Sequence, residues 1–477
     1  MNLYLRAFVL VSLLLVAPST GAAGQVPSLL QTDLRLELTL HYDDGTIGGT
    51  ATVTIKNVGI DPIDRVPLQL GRLMQVSAAQ NGAGNPLPFT QDIVTYEDWP
   101  EFQICQIHIA LASPLRAGES QSVAVRYGGT LVGYTETGMR YVRDRVDSVF
   151  TIIRTDALAI PTVGGPSFAA LRAQPRGDFT FTARITVPAG FTVATGVAES
   201  ERVASGQEVT WVFEGSRSVP FLNIAVAPYE VLETGGLRVY YFHEDSAGAH
   251  IVMNAIERAT ELFALWFGPL RDSARLHVIE IPEGWGSQAS LTGGIIQTAN
   301  TFRDAHRLPE LYHELSHLWN VRDLDQPPCR WNEGLAMFLQ ERVDVELTPG
   351  EKLESRMAQA FESCRKLVER TPELTQVPFA DYGRKAMTDY SYSTGEVMFY
   401  ILFRVMGPSQ FDAAMSGFLQ TYGHSGSTTA EFADYLRGKS PGAVSRVLDD
   451  WLFATEWARR LDSGETLDEM ISEYSRR

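Results

Sequence analysis

The chain has 477 residues, 44% hydrophobic and 20% charged, an ordinary globular composition with room for about two to four domains. Its net charge of −17 argues against a nucleic-acid partner or an anionic membrane surface and favours a self-repelling, soluble particle. No repeat, low-complexity tract or long charge run points to a solenoid or a disordered tail.

In chain order, Arg6 precedes an apolar run from Ala7 to Ala17, and Gly21-Ala22-Ala23 supplies small residues for cleavage. This reads as a signal peptide over 1–23, with the mature chain starting near Gly24 in a periplasmic or extracellular space. The run is eleven residues long, short of the roughly 20 that span a bilayer, so no stable membrane insertion is expected after cleavage.

From 24 to 235 the pattern is β. Leu34, Leu36, Leu38 and Leu40 alternate with polar residues, and Asp43-Asp44-Gly45 turns the chain toward Ala51, Val53 and Ile55. Phe179, Phe181, Ala183, Ile185 and Val187 alternate again, as do Val209, Trp211 and Phe213. Many short strands with such turns predict an N-terminal antiparallel β-sandwich. Beyond 236 the period changes. A helix is expected from about Ala247 to Trp266, a strand over Leu276–Ile281, then a Gly-rich stretch from Gly284 to Gly294. The whole is read as an α+β multidomain chain, with a catalytic domain over 236–405 and a short helical C-terminal region over 406–477.

The chemistry concentrates at His313-Glu314-Leu315-Ser316-His317, with Trp331-Asn332-Glu333-Gly334 downstream. Pro309 and Glu310 suit a first helical turn, and Leu308, Leu311, Leu315 and Leu318 form an apolar stripe. Residues i and i+4 share one helix face, so His313 and His317 can both reach one metal ion. Glu314 is placed to reach a metal-bound water rather than the metal. A second apolar pattern after Glu333 makes that carboxylate a third ligand presented by the next helix. Three protein ligands leave one position of a single Zn²⁺ open, the arrangement of a catalytic rather than a structural site. The competing reading is a surface helix with two unrelated histidines. Cys105, Cys329 and Cys364 are an odd set; a Cys329–Cys364 pair and three buried thiols both remain open.

These segments resemble the gluzincin peptidases, and most closely the aminopeptidase N-like family. His313–His317 with Trp331-Asn332-Glu333-Gly334-Leu335-Ala336 is similar to the family's helix and its "LWLNEGFA" segment. Tyr392-Ser393-Thr394-Gly395 looks like the family's "YEKG" helix, whose tyrosine stabilises the transition state. Val187-Pro188-Ala189-Gly190-Phe191 with Val209-Thr210-Trp211, and Asp449-Asp450-Trp451-Leu452-Phe453, are similar to the late β-domain and to the close of the catalytic region. The resemblance implies a thermolysin-like zinc peptidase domain. Departures accompany it. Fifteen residues separate His317 from Glu333, fewer than in the family. Over Gly286–Gly294 the family's GAMEN motif is not matched, and Leu291 stands where an amine-binding glutamate is expected. Thr151–Ala157 matches the family's "QFEPTDA" only at its end. His317-Leu318-Trp319-Asn320-Val321 is also similar to the "HLWNV" of glycyl aminopeptidases, a neighbouring family.

The expected roles are therefore His313, His317 and Glu333 as zinc ligands, Glu314 as general base, and Tyr392 as donor to the oxyanion, with Tyr390 competing for that last role. Gly293 and Gly294 could let an extended substrate backbone approach, or form a plain turn. The function expected is zinc-dependent peptide hydrolysis, aminopeptidase-like. An endopeptidase or modified-peptide hydrolase at the same site, and an exported binding or assembly protein with a vestigial zinc site, are the alternatives.

Overall fold

The computed structural model describes residues 29–167, 179–219, 221–270, 275–289, 294–440 and 442–476. The expected signal peptide, Leu291 and Gly293 lie outside these ranges. Among the described residues no helix is long and apolar enough to cross a membrane.

Leu29–His41 buries Leu34, Leu36, Leu38 and Leu40 on one face and pairs antiparallel with Thr46–Asn57 across the expected turn. The seven-stranded sheet built on this hairpin differs from the all-antiparallel expectation at one seam. Leu29–His41 runs parallel to Phe179–Pro188. Alternation fixes which face of a strand is buried and is silent about which distant strand lies beside it, so this pairing was not readable. A four-stranded sheet (Phe89–Thr95, Gln103–Leu115, Ile63–Gly71, Thr162–Val163) shares its core, where Leu34, Val53, Val66, Ile107, Val125 and Phe213 have no solvent exposure.

A small sheet of Thr192–Ala194, Asn223–Ala227 and Thr151–Arg154 joins this sandwich to the next region. Phe150, Ile152, Tyr229, Phe242, Ile279 and Trp285 form one apolar cluster there. The next sheet has five strands in the order Glu230–Thr234, Leu237–Tyr241, Leu276–Ile281, Gly294–Thr298, Gln288–Ala289. Its three central strands run parallel, and Gln288–Ala289 is an antiparallel edge. Glu230–Thr234 thus belongs to this sheet, ahead of the boundary expected at 235. Its own sequence carries no break; the partner strand Leu237–Tyr241 claims it by hairpin pairing.

The helix Ser246–Phe267 and the helices after residue 308 pack into one continuous core reaching from Leu237 to Tyr474. The helical region expected over 406–477 is present and continues this core with no packing break at 405/406. Phe338 shows why, since its ring lies 5.4 Å from Phe403 and 5.7 Å from Phe411, one on each side of that boundary. Cys105, Cys329 and Cys364 are all buried and unpaired, which selects the buried-thiol reading.

This packing predicts that Phe411→Ala, a fully buried ring deletion, costs about 3–5 kcal/mol. In a calorimetric scan it should lower the same transition that melts the histidine-bearing helices. Loss of a separate C-terminal transition, with the main one unmoved, would contradict the shared core.

Candidate metal centre

Three helices build the site: Leu308–Ser316, Trp331–Leu347 and Ser391–Met406. The first begins with Pro309 in its opening turn and buries Leu311 and Leu315 completely. It is shorter than its sequence suggests. Regular α-helix stops at Ser316, and His317–Trp319 continue as a 3₁₀ turn. The Ser316 hydroxyl turns back to donate to the His313 carbonyl at 2.7 Å, and Asn320 is extended, with its amide donating to the Asn332 carbonyl at 2.6 Å. His317 keeps helical dihedrals (φ −60°, ψ −22°), so its ring still follows His313 by one turn, 5.0 Å away.

Both imidazoles aim Nε2 at the same carboxylate oxygen. Glu333 Oε2 lies 3.4 Å from His313 Nε2 and 3.5 Å from His317 Nε2. Donors bound about 2.0–2.1 Å from a tetrahedral zinc ion stand about 3.4 Å apart, so two nitrogens and one oxygen at this spacing fit Zn²⁺. The three groups are nearly buried, which suits a site with a single opening.

Glu333 reaches this position because its helix meets Ser391–Met406 at two glycines. A Cβ on Gly334 would stand 2.4 Å from Gly395 Cα, and one on Gly395 would stand 2.6 Å from Gly334 Cα. Only hydrogen fits there, so the two backbones touch one residue after Glu333 and three after Tyr392. That crossing brings Tyr392 over the site. Its ring lies 6.0 Å from His313, nearly parallel to it, whereas the Tyr390 ring packs partly into the core. Tyr392 is therefore the tyrosine that faces the metal position.

Sequence reasoning missed Arg330. Its Nη2 donates to Glu333 Oε1 and to the Tyr392 hydroxyl, both at 2.8 Å. The only sequence signal is its position three residues before Glu333, where the segment it resembles carries tryptophan. Arg330 caps the second helix with φ 65°, ψ 39°, a left-handed conformation that costs a non-glycine residue about 1–2 kcal/mol. The loop before it supplies the restraint. Arg330 N–H donates to Asp323 Oδ2 at 2.8 Å, the Asp325 carboxylate accepts from Thr429, and Cys329 Sγ lies 3.2 Å from Thr429 Oγ1. Asp323, Asp325 and Cys329 could themselves surround a metal ion. Their hydrogen bonds are spent on the loop and on Thr429, and they read as a staple.

The two carboxylates of the site are pushed in opposite directions. Burial would raise Glu333, but His317 and Arg330 outweigh it and hold its carboxyl well below the usual range. Burial raises Glu314, opposed by His313 and His317 and reinforced by Glu333, while Ala289 N–H on the edge strand bonds to its anionic form. Thr151–Arg154, the strand resembling the amine-binding segment, is wholly buried; its Arg154 pairs with Asp144 at 3.5 Å.

No family model and no curated protein matches this sequence. Solved structures do match. An M1 zinc metallopeptidase from Deinococcus radiodurans superposes with a TM-score of 0.67 at 20% identity, over 89% of this chain and 94% of that one. A two-domain M1 zinc metallopeptidase gives 0.66 at 21% identity, over 92% and 96%. LTA4 hydrolase from yeast gives 0.64 at 15% identity, over 90% of this chain and 68% of that one. The chain has the M1 zinc metallopeptidase fold. Within that fold the sandwich, the five-stranded sheet and the helical core correspond to the multidomain arrangement expected from sequence.

Alanine normally stabilises a helix interior over glycine by about 0.5–1 kcal/mol, so the sign of a substitution tests the crossing. Gly334→Ala should instead destabilise by about 1–3 kcal/mol and weaken zinc binding, read by thermal melting and chelator competition. A stabilised protein with unchanged affinity would contradict the close contact. Glu333→Ala should lose zinc outright; full occupancy, measured by metal analysis, would mean a different third ligand.

Proposed function

We propose that this chain is an exported zinc metallopeptidase that hydrolyses peptide bonds, with N-terminal trimming as its principal mode. One observation carries the reading: two imidazole nitrogens and one carboxylate oxygen converge at zinc-ligand spacing, with Glu314 and Tyr392 beside them. Zinc held there supplies Lewis acidity and lowers the pKa of water. Glu314, whose carboxyl burial already raises, accepts a proton as a water attacks the peptide carbonyl and returns it to the leaving amine. Tyr392 donates its hydroxyl proton toward the oxygen on which negative charge develops. The edge strand Gln288–Ala289 offers backbone groups beside Glu314 along which an extended peptide can lie.

N-terminal trimming is supported by what the fold neighbours bind. The Deinococcus radiodurans enzyme is described with a Tyr-Ser-Ala substrate, and two-domain M1 enzymes with L-arginine and with L-tryptophan. Leu291, in place of the family's amine-binding glutamate, favours the second reading, cleavage within chains or of blocked peptides. Export rests on the Arg6–Ala23 segment, and the secreted product should begin near Gly24 when its N-terminus is sequenced.

Glu314→Gln should keep zinc yet lower turnover roughly 10²-fold or more, because a proton acceptor is removed and no ligand is touched. The assay is a mass-spectrometric cleavage profile of a peptide pool with free and acetylated N-termini. Stepwise loss from free N-termini alone is expected. Internal cuts, or cuts of acetylated peptides, would establish the second reading, and undiminished activity of the zinc-loaded variant would overturn the role of Glu314.

A further inference from the structure

We propose that Arg330 is a positioning residue that couples the zinc ligand Glu333 to the hydroxyl of Tyr392. The inference rests on the zinc peptidase reading and adds to it a residue that none of the motifs contains.

Hydrogen-bond inventory carries the first step. A guanidinium nitrogen can only donate, and Nη2 has two hydrogens. One is spent on Glu333 Oε1 and the other on Tyr392 Oη, each at 2.8 Å. Pairing Oε1 leaves Oε2, the oxygen that faces both histidines, free to ligate. At Tyr392 the oxygen must be the acceptor in this contact, so its own proton is not consumed by it.

The second step concerns where that proton points. Glu333 Oε1 and the phenol oxygen both lie 2.8 Å from the same Arg330 nitrogen, so the Glu333 carboxylate is the neighbouring acceptor that would otherwise draw the phenol proton to itself. Arg330 places a cation on the same carboxylate and weakens it as a competing acceptor. The hydroxyl proton is then available to a substrate oxygen. One side chain thereby sets the ligand's orientation and the donor's direction.

The third step is that the chain fixes Arg330 from several sides. Its left-handed backbone is held by Asp323 through its own N–H, and its carbonyl accepts the Glu333 N–H at 3.1 Å. The Cys329 carbonyl accepts the Ser391 hydroxyl at 2.8 Å, tying the residue before Arg330 to the residue before Tyr392. A strained residue restrained in this way by neighbouring groups is characteristic of a functional position.

The test is a double-mutant cycle on Arg330→Met and Tyr392→Phe, with Arg330→Lys as the conservative variant and melting curves of each apo protein to confirm folding. Zinc affinity is read by chelator competition, and kcat and KM on a peptide that the wild type cleaves. Arg330→Met should weaken zinc binding about 10-fold or more, as loss of a group that orients a ligand does. Tyr392→Phe should leave zinc affinity within about twofold and lower kcat. The double variant should be no slower than the slower single variant, within about twofold, because both changes remove one coupled unit, with KM moving little throughout. Arg330→Lys should recover zinc affinity more than kcat, since the ammonium restores a positive charge beside Glu333 but not a planar nitrogen held between Glu333 and Tyr392.

Unchanged zinc affinity in folded Arg330→Met, or losses in kcat that multiply in the double variant, would overturn the proposal. A wild type that binds zinc and cleaves no peptide would instead overturn the peptidase reading. The affinity comparison would then still decide whether Arg330 orients Glu333.

Discussion

Everything at the centre depends on two glycines in contact. Gly334 and Gly395 let the helices Trp331–Leu347 and Ser391–Met406 touch backbone to backbone, with room for hydrogen and nothing larger. Glu333 lies one residue before the first glycine, and Tyr392 one helical turn before the second. Their separation is therefore set by main-chain packing, which is stiffer than any side-chain contact. The sequence segments Asn332-Glu333-Gly334 and Tyr392-Ser393-Thr394-Gly395 are two halves of a single device. Each supplies a chemical group together with the glycine that places it.

Around that contact the electrostatics divide two carboxylates that share one small volume. Glu333 accepts from Arg330 on one oxygen and faces two imidazoles with the other, and stays anionic despite burial. Glu314 has no comparable partner, and burial pushes its carboxyl toward the protonated form. A ligand must remain charged, whereas a proton acceptor must be able to take up a proton near neutral pH. Environment pushes the two chemically similar side chains in opposite directions, as the proposed roles require.

The candidate zinc set was legible because it is written in local spacing. His313 and His317 share a helical face whether or not the helix ends at Ser316, and the 3₁₀ turn at His317 changes hydrogen bonding more than direction. The sandwich and the strand Leu276–Ile281 were legible for the same reason, through period-two burial and a short run rich in branched apolar residues (Leu276, Val278, Ile279, Ile281). Contacts between distant segments were not. The parallel seam between Leu29–His41 and Phe179–Pro188, the capture of Glu230–Thr234 by the second sheet, and the Phe338–Phe411 packing all join residues whose own sequence gives no sign of the partner. Arg330 belongs with these. Its place follows from a left-handed turn braced by Asp323 and Thr429, and its position three residues before Glu333 was the one weak sequence signal of it.

The central claim is that His313, His317 and Glu333 together hold one zinc ion. Zinc K-edge X-ray absorption on the purified protein tests it most directly, because the other cluster among the described residues able to surround a metal contains Cys329. The account predicts one zinc per chain in a shell of nitrogen and oxygen donors at about 2.0–2.1 Å with an imidazole signature. A sulfur contribution at about 2.3 Å would place the metal at Asp323, Asp325 and Cys329 instead, and would contradict the account.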